Sequence, residues 1–438
     1  MTKIKILAQI VLTTSLLGNS ASAATNSEIQ SLRNEFNNIK NSYEKRISDL
    51  ESNLNKDRSI LNNANATRNI YDNKFNPSIG VILNGKYSAF SQSESEFSGF
   101  GVGEEGERGK EGFAIGESEL NFASNIDDKF YGSVTLAVVN EDGSDIIELE
   151  EAYIQTTPAF GLPTGMNLKA GRAFWKFGYL NEHHAHSDDF ADRPLPYRVY
   201  LNKAFNDDGV QTSYILSTDI YQEIGGGLFR GDDFPLGTGD GNSNYSIYYR
   251  VGSDIGDKQN WRLGFYQLSG EAKDGRTSNE DAITFTGDTD LYAVDFKYNF
   301  APTANSKQKE LTFQAEYFYR EEDGIYNDTD ASTGDVTVDN HSSGWYAQTV
   351  YRFKPKWRVG LRYSEMQTSD VPVGLNSSVL NANGFDPVSY TAMVDWSNSE
   401  FSRVRLQYNE NELSNGNEDN QFMFQYIVSF GAHTAHKY

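Results

Sequence analysis

The sequence predicts an all-β chain, a sixteen-stranded antiparallel transmembrane β-barrel preceded by a short N-terminal periplasmic coiled-coil helix. Three observations predict it. From Ser78 onward, segments of about ten residues alternate apolar and polar side chains. The links between those segments are short and long by turns. Aromatic residues are abundant (27 Phe and 26 Tyr among 438 residues), yet after the first residues no apolar run is long enough for a membrane helix.

Composition narrows the function classes. The chain holds 61 Asp and Glu against 38 Lys and Arg, a net charge of −23. That balance argues against a nucleic-acid binder, which carries a basic stripe. With no cysteine there is no disulfide framework, thiolate metal site or cysteine nucleophile. An aromatic content of 13% separates the chain from disordered acidic proteins.

Residues 1–23 open with Lys3 and Lys5, continue with an apolar stretch from Ile6 to Leu17, and end on Ala21-Ser22-Ala23. This is the pattern of a secretory signal peptide cut after Ala23. In 24–61, Ile29, Leu32, Phe36, Ile39, Tyr43, Ile47, Leu50 and Leu54 follow a heptad seam with one four-residue stutter near Tyr43. So narrow a stripe predicts a periplasmic coiled coil joining copies of this chain into a homo-oligomer. A solvated helix leaning on the barrel is the alternative. Residues 62–77, rich in Asn and Asp, read as a linker.

The barrel occupies 78–438. Its sixteen segments are 78–90, 114–125, 129–139, 146–156, 166–176, 209–217, 219–230, 244–253, 259–269, 288–300, 309–320, 343–354, 356–366, 388–397, 400–410 and 420–431. Links after even-numbered segments are mostly turns, such as Lys354-Pro355-Lys356. Links after odd-numbered segments are mostly long and polar: 91–113, 177–208, 270–287, 321–342 and 367–387. Membrane barrels have this asymmetry, with short periplasmic turns and longer external loops. It predicts a bacterial outer-membrane protein with both termini in the periplasm and outer-membrane lipid around its wall. Tyr131, Trp175, Trp261, Phe300, Trp345, Phe353, Trp357 and Trp396 stand at strand ends, where interfacial girdles form. The terminal aromatic Tyr438 fits the signal read by the barrel-assembly machinery.

If the apolar face meets lipid, the other face lines the lumen. Arg262, Lys297, Arg352, Arg358, Arg362, Arg403 and Arg405 then form a candidate basic wall, with Glu316 and Asp395 also inside. Such rows guide anions in some pores; in others, opposed charges shape the bore without selecting a ligand. The long links 91–113 and 321–342 are acidic, which concentrates cations at a mouth or simply keeps a loop solvated. In 177–208, His183, His184 and His186 stand beside Asp188 and Asp189. Imidazole with carboxylate suits zinc or ferrous iron, so these five residues are the candidate metal or chelate contact. The alternative is a constriction loop whose histidines pack and hydrogen-bond. No catalytic constellation is expected, since His183, His184, His186, Ser187 and Asp188 all lie on one stretch of chain.

Several of these stretches carry a resemblance. Asn181-Glu182-His183-His184-Ala185-His186, Asn206-Asp207-Asp208-Gly209-Val210-Gln211, Asp395 to Arg403 and the C-terminal Gly431 to Tyr438 resemble the LbtU-type siderophore porin family. Related sequences in it are labelled zinc-regulated TonB-dependent outer-membrane receptors. The resemblance implies a sixteen-stranded barrel and uptake of iron, as a ferric siderophore or another metal chelate. No cofactor is implied beyond the transported iron or zinc complex. One departure matters: TonB-dependent receptors surround a plug with twenty-two strands, and residues 24–77 are too few for one. The expected function is therefore diffusive uptake of iron–siderophore or chelated metal. The alternative is a general or anion-selective porin whose metal link is regulatory only.

Overall fold

The computed structural model describes residues 77–431, apart from 94, 142–143, 233 and 238–243. The signal cleavage at Ala23, the coiled coil 24–61, nearly all of the linker and the assembly signal Tyr438 lie outside the described residues.

Among the described residues the structure is one continuous antiparallel sheet of seventeen strand segments. In chain order they are β1 (Ser78–Phe90), β2 (Gly112–Ile115), β3 (Ser118–Asn125), β4 (Phe130–Glu141), β5 (Ser144–Thr156) and β6 (Met166–Phe174). They continue as β7 (Asn206–Ile215), β8 (Tyr221–Phe229), β9 (Asn244–Ile255), β10 (Gln259–Ser278), β11 (Ile283–Phe300) and β12 (Glu310–Asp328). The last are β13 (Val336–Lys354), β14 (Trp357–Thr368), β15 (Val388–Ser399), β16 (Ser402–Ser414) and β17 (Asn417–Gly431). Both β2 and β3 pair with β1, so they are two pieces of one wall strand broken at Gly116-Glu117. Counting that pair once, the wall has sixteen strands. Pairing of β17 with β1, from Gly80↔Gly431 to Phe90↔Gln421, closes the barrel. Closure leaves no free sheet edge, the condition for a sheet to sit in lipid.

Polarity runs inside-out. Leu361 is 67% exposed, and Ile247, Tyr390 and Phe430 are also exposed, all on the outer face. Their strand neighbours Arg362, Ser389, Thr391 and Asp395 are buried in the interior. Aromatic rings border the apolar band at both ends. Toward the loop end, Tyr292 pairs with Tyr319, and Trp345, Tyr363 and Tyr390 follow with ring centroids 5.2 and 5.0 Å apart. Toward the turn end, Trp357 meets Trp396 and Phe296 meets Phe313. Trp175, expected in a girdle, is instead 1% exposed in the interior, because its segment leaves the wall at Phe174.

The expected long links 270–287 and 321–342 are corrected: most of their residues are strand. β10, β11, β12 and β13 run 20, 18, 19 and 19 residues, about twice what a tilted strand needs to cross a bilayer. Beyond Tyr292 and Tyr319 the alternation continues but its polarity reverses. Asp288, Asp290, Glu321 and Asp323 now face out. Ile283, Phe285, Tyr326 and Val338 face in and pack on Leu375 and Leu380 of the 369–387 loop. The hairpins therefore leave the lipid and build a second, water-facing tier with its own core. Glu322 and Asp328, expected in an acidic mouth, point inward: Glu322 pairs with Arg276 and Arg320, and Asp328 accepts from Ser378.

Candidate functional site

The connection between β6 and β7, residues 175–205, turns into the barrel and crosses it as a strap. The proof is in its partners, which lie on strands all around the wall. Lys176 pairs with Glu223 on β8 and Glu182 with Arg250 on β9. Tyr179 N–H donates to Glu316 on β12 (2.8 Å), Tyr200 O–H to Ser342 on β13 (3.0 Å) and Ala191 N–H to Gln407 on β16 (2.7 Å). Only a segment inside the ring can reach all of these.

The strap folds on itself because its sequence supplies an apolar core. Trp175, Phe177, Leu180, Leu195, Val199 and Leu201 are all buried. The helix α1 (Leu195–Tyr200) has Pro196 in its first turn, where a missing N–H does no harm. Asn181 closes the strap at its base: its amide donates to Trp175 O (2.7 Å) and Phe205 O (2.9 Å) and accepts from Phe205 N–H (2.6 Å). Gly178 has φ +75°, and an added Cβ there would lie 2.6 Å from a Glu316 oxygen, so glycine permits the close approach to β12. Phe97, Phe100 and Val102 from the β1–β2 connection join the same core.

All seven expected wall residues occupy inward strand positions, and six of them fasten the strap. Arg358 Nη1 lies 2.6 Å from Asp189 and also grips Asp395. Arg362 Nη2 lies 2.6 Å from Asp192. Arg403 donates to His186 O and Arg405 to Asp188 O. Lys297 and Arg262 both sit over the Tyr179 ring, 4.1 and 4.6 Å from its centre. Arg352 donates to Pro355 O at the turn end and stays apart. The charges are thus met by the protein's own groups. Burial would raise the Asp189 carboxyl, but Arg358 and Lys297 hold it down at about 2.

The five expected metal or chelate residues are not brought together. Asp188 pairs with Arg193 (2.6 Å) and Asp189 with Arg358. The His183 ring lies on Tyr179; burial keeps it neutral, lowered to about 4 against the pull of Glu182. His184 and His186 do converge, on carboxylates of the wall. His184 Nδ1 is 3.3 Å from Glu119 and 3.2 Å from Glu150, and its Nε2 is 3.1 Å from Glu151. His186 Nδ1 is 2.6 Å from Glu119. Ser187 O–H donates to His184 O (2.8 Å) and faces no imidazole as a nucleophile would.

Glu119, Glu150 and Glu151 are the residues that sequence reasoning missed. Glu119 was legible as an inward position of β3. Glu150 and Glu151 are adjacent, so strict alternation would send one of them outward. A β-bulge prevents this: Thr135 pairs with Glu151 and Leu136 with Leu149, leaving Glu150 without a partner. Bulges re-aim side chains in this way, and both carboxylates reach His184. Asn206 Nδ2 donates to the bulge carbonyl Glu150 O at 2.6 Å.

No family model matches the chain. An uncharacterized protein of Aquifex aeolicus (strain VF5) is 29% identical over 397 residues, covering 83% of this chain and 80% of that protein. Among solved structures, an anion-selective porin from Comamonas acidovorans superposes with a TM-score of 0.50 at 11% identity, over 81% of this chain and 99% of that one. The outer membrane channel DcaP of Acinetobacter baumannii gives 0.49 at 12% identity, over 80% and 96%. At such identity the likeness to the Comamonas structure establishes the fold, a closed antiparallel barrel of porin type.

Proposed function

We propose that the chain is an outer-membrane channel that takes up iron–siderophore or another chelated metal by diffusion. The observation that carries the channel reading is the pairing of an apolar outer wall with a polar interior crossed by a fastened strap. An apolar belt around a closed sheet suits lipid, and a strap at mid-bore is where a pore selects by size and charge. The chelate cargo is supported by the resemblance of 181–186, 206–211 and 395–403 to siderophore porins and by imidazole and carboxylate groups inside the bore.

Deleting the chain is expected to lower uptake of ⁵⁵Fe-labelled siderophore in low iron, with recovery on complementation. Undiminished uptake removes the cargo. A planar-bilayer recording of the purified barrel tests the channel by itself: no conductance in small salts removes it. A second reading, a general or anion-selective porin, is favoured by the closed sixteen-strand barrel of porin type. Anion conductance that ferric siderophore does not block would select it.

A further inference from the structure

We propose that the seam between strap and wall is a resident divalent transition-metal site of the zinc class, with His184 Nδ1, Glu119 Oε2 and Glu150 Oε2 as ligands. It is distinct from any cargo the channel carries and does not depend on the cargo reading.

The first argument is geometric. His184 Nδ1 stands 3.3 Å from Glu119 Oε2 and 3.2 Å from Glu150 Oε2. Ligand atoms at about 2.0–2.1 Å from a tetrahedral zinc ion lie about 3.3 Å from one another. Two edges of the tetrahedron are therefore already in place. These approaches lack hydrogen-bond geometry: all three atoms are buried without a hydrogen-bond partner. Glu119 is 2% exposed, and leaving such atoms without hydrogen bonds is costly. A bound cation meets all three at once.

The surrounding groups have the form of an outer shell. A metal-bound imidazole characteristically gives its other ring N–H to a carboxylate, which fixes tautomer and orientation. His184 Nε2 lies 3.1 Å from Glu151, the distance at which it would do this once Nδ1 is a ligand. The second oxygen of Glu119 is held by His186 Nδ1 at 2.6 Å. Each ligand is positioned from a different element: Glu119 by β3, Glu150 by the bulge of β5, His184 by the strap.

Charge agrees. Glu117 has Lys203 at 2.6 Å, and Glu151 has Lys169 at 3.8 Å. Glu119 and Glu150 remain, two carboxylates whose charge one divalent cation balances. One nitrogen and two oxygens suit Zn²⁺ or Fe²⁺; Ca²⁺ and Mg²⁺ call for more oxygen ligands. Bound there, the ion would stitch the strap to β3 and β5, adding to the arginine anchors of β14 and β16.

The test uses the whole purified barrel in detergent, stripped with chelator, then loaded with Zn²⁺ and desalted. Elemental analysis is expected to find one zinc per chain, unaffected by excess Mg²⁺. Co²⁺ in its place is expected to give the intense visible absorption of a tetrahedral site. His184→Ala and the isosteric Glu150→Gln are each expected to remove the bound zinc, whereas His341→Ala, at the outer tier, keeps it. Folding of each variant is checked by heat-modifiable gel mobility. Glu151→Gln, which alters only the outer shell, is expected to weaken zinc binding about 10–100-fold. Zinc-free wild type after loading, or full zinc in both folded His184→Ala and Glu150→Gln, overturns the proposal.

Discussion

At the scale of single residues, the anchor between Arg358 and Asp189 shows how the bore is held. Both side chains are largely buried and lie 2.6 Å apart. Arg358→Ala leaves Asp189 and Asp395 without their shared cation, a loss of about 3–5 kcal/mol for a buried pair. The strap should detach locally, and single-channel conductance should rise and become noisy; unchanged conductance counts against the strap as the constriction. Acid should mimic the substitution. The folded Asp189 carboxyl is depressed to about 2 from an ordinary value of about 3.9. Its stabilisation is present above about pH 4 and is lost as pH falls through about 2. Conductance is therefore expected to hold steady from neutral pH to about 4 and to climb below about 3. Parity alone placed Arg358, Arg362, Arg403 and Arg405 inside. Their partners could not be read, because strap and wall are joined by contacts between residues some 170 to 217 positions apart.

At the scale of elements, the alternation of apolar and polar residues located every wall strand, since lipid outside and polar interior impose a period of two. The same rule failed wherever the surroundings change. Past Tyr292 on β11 and Tyr319 on β12 water replaces lipid, so an outward apolar residue is no longer expected, and continued strand resembled a loop. At the β5 bulge the period slips by one, which hid Glu150 and Glu151. Outer-face positions between the girdles should remain the most sensitive. Leu361→Arg on β14 is expected to cost up to about 2–4 kcal/mol at bilayer mid-depth, seen as loss of the heat-modifiable folded form. Thr286→Arg, on the outer tier of β11, should assemble normally.

At the scale of the whole molecule, the ladder closes from β1 to β17 without help from the strap. Replacing residues 180–200 by a short flexible linker is thus expected to leave a folded barrel by gel mobility and circular dichroism, with a conductance several-fold larger. Failure to fold would mean that the strap is needed to form the wall and is more than an insert within it. The strap's inward turn had no signature in polarity, since a constriction loop and an external loop are both rich in polar residues. Its aromatic content, from Trp175 through Phe205, was the readable hint that it owned a core. One consequence follows from Asn181, which draws Trp175 and Phe205 together with three hydrogen bonds. The insert enters and leaves through a single stapled doorway, so its length can drift without disturbing the staves on either side. Calibre and casing are separable parts here, and a lineage could widen or narrow its aperture by editing thirty-odd residues while the hull stays the same.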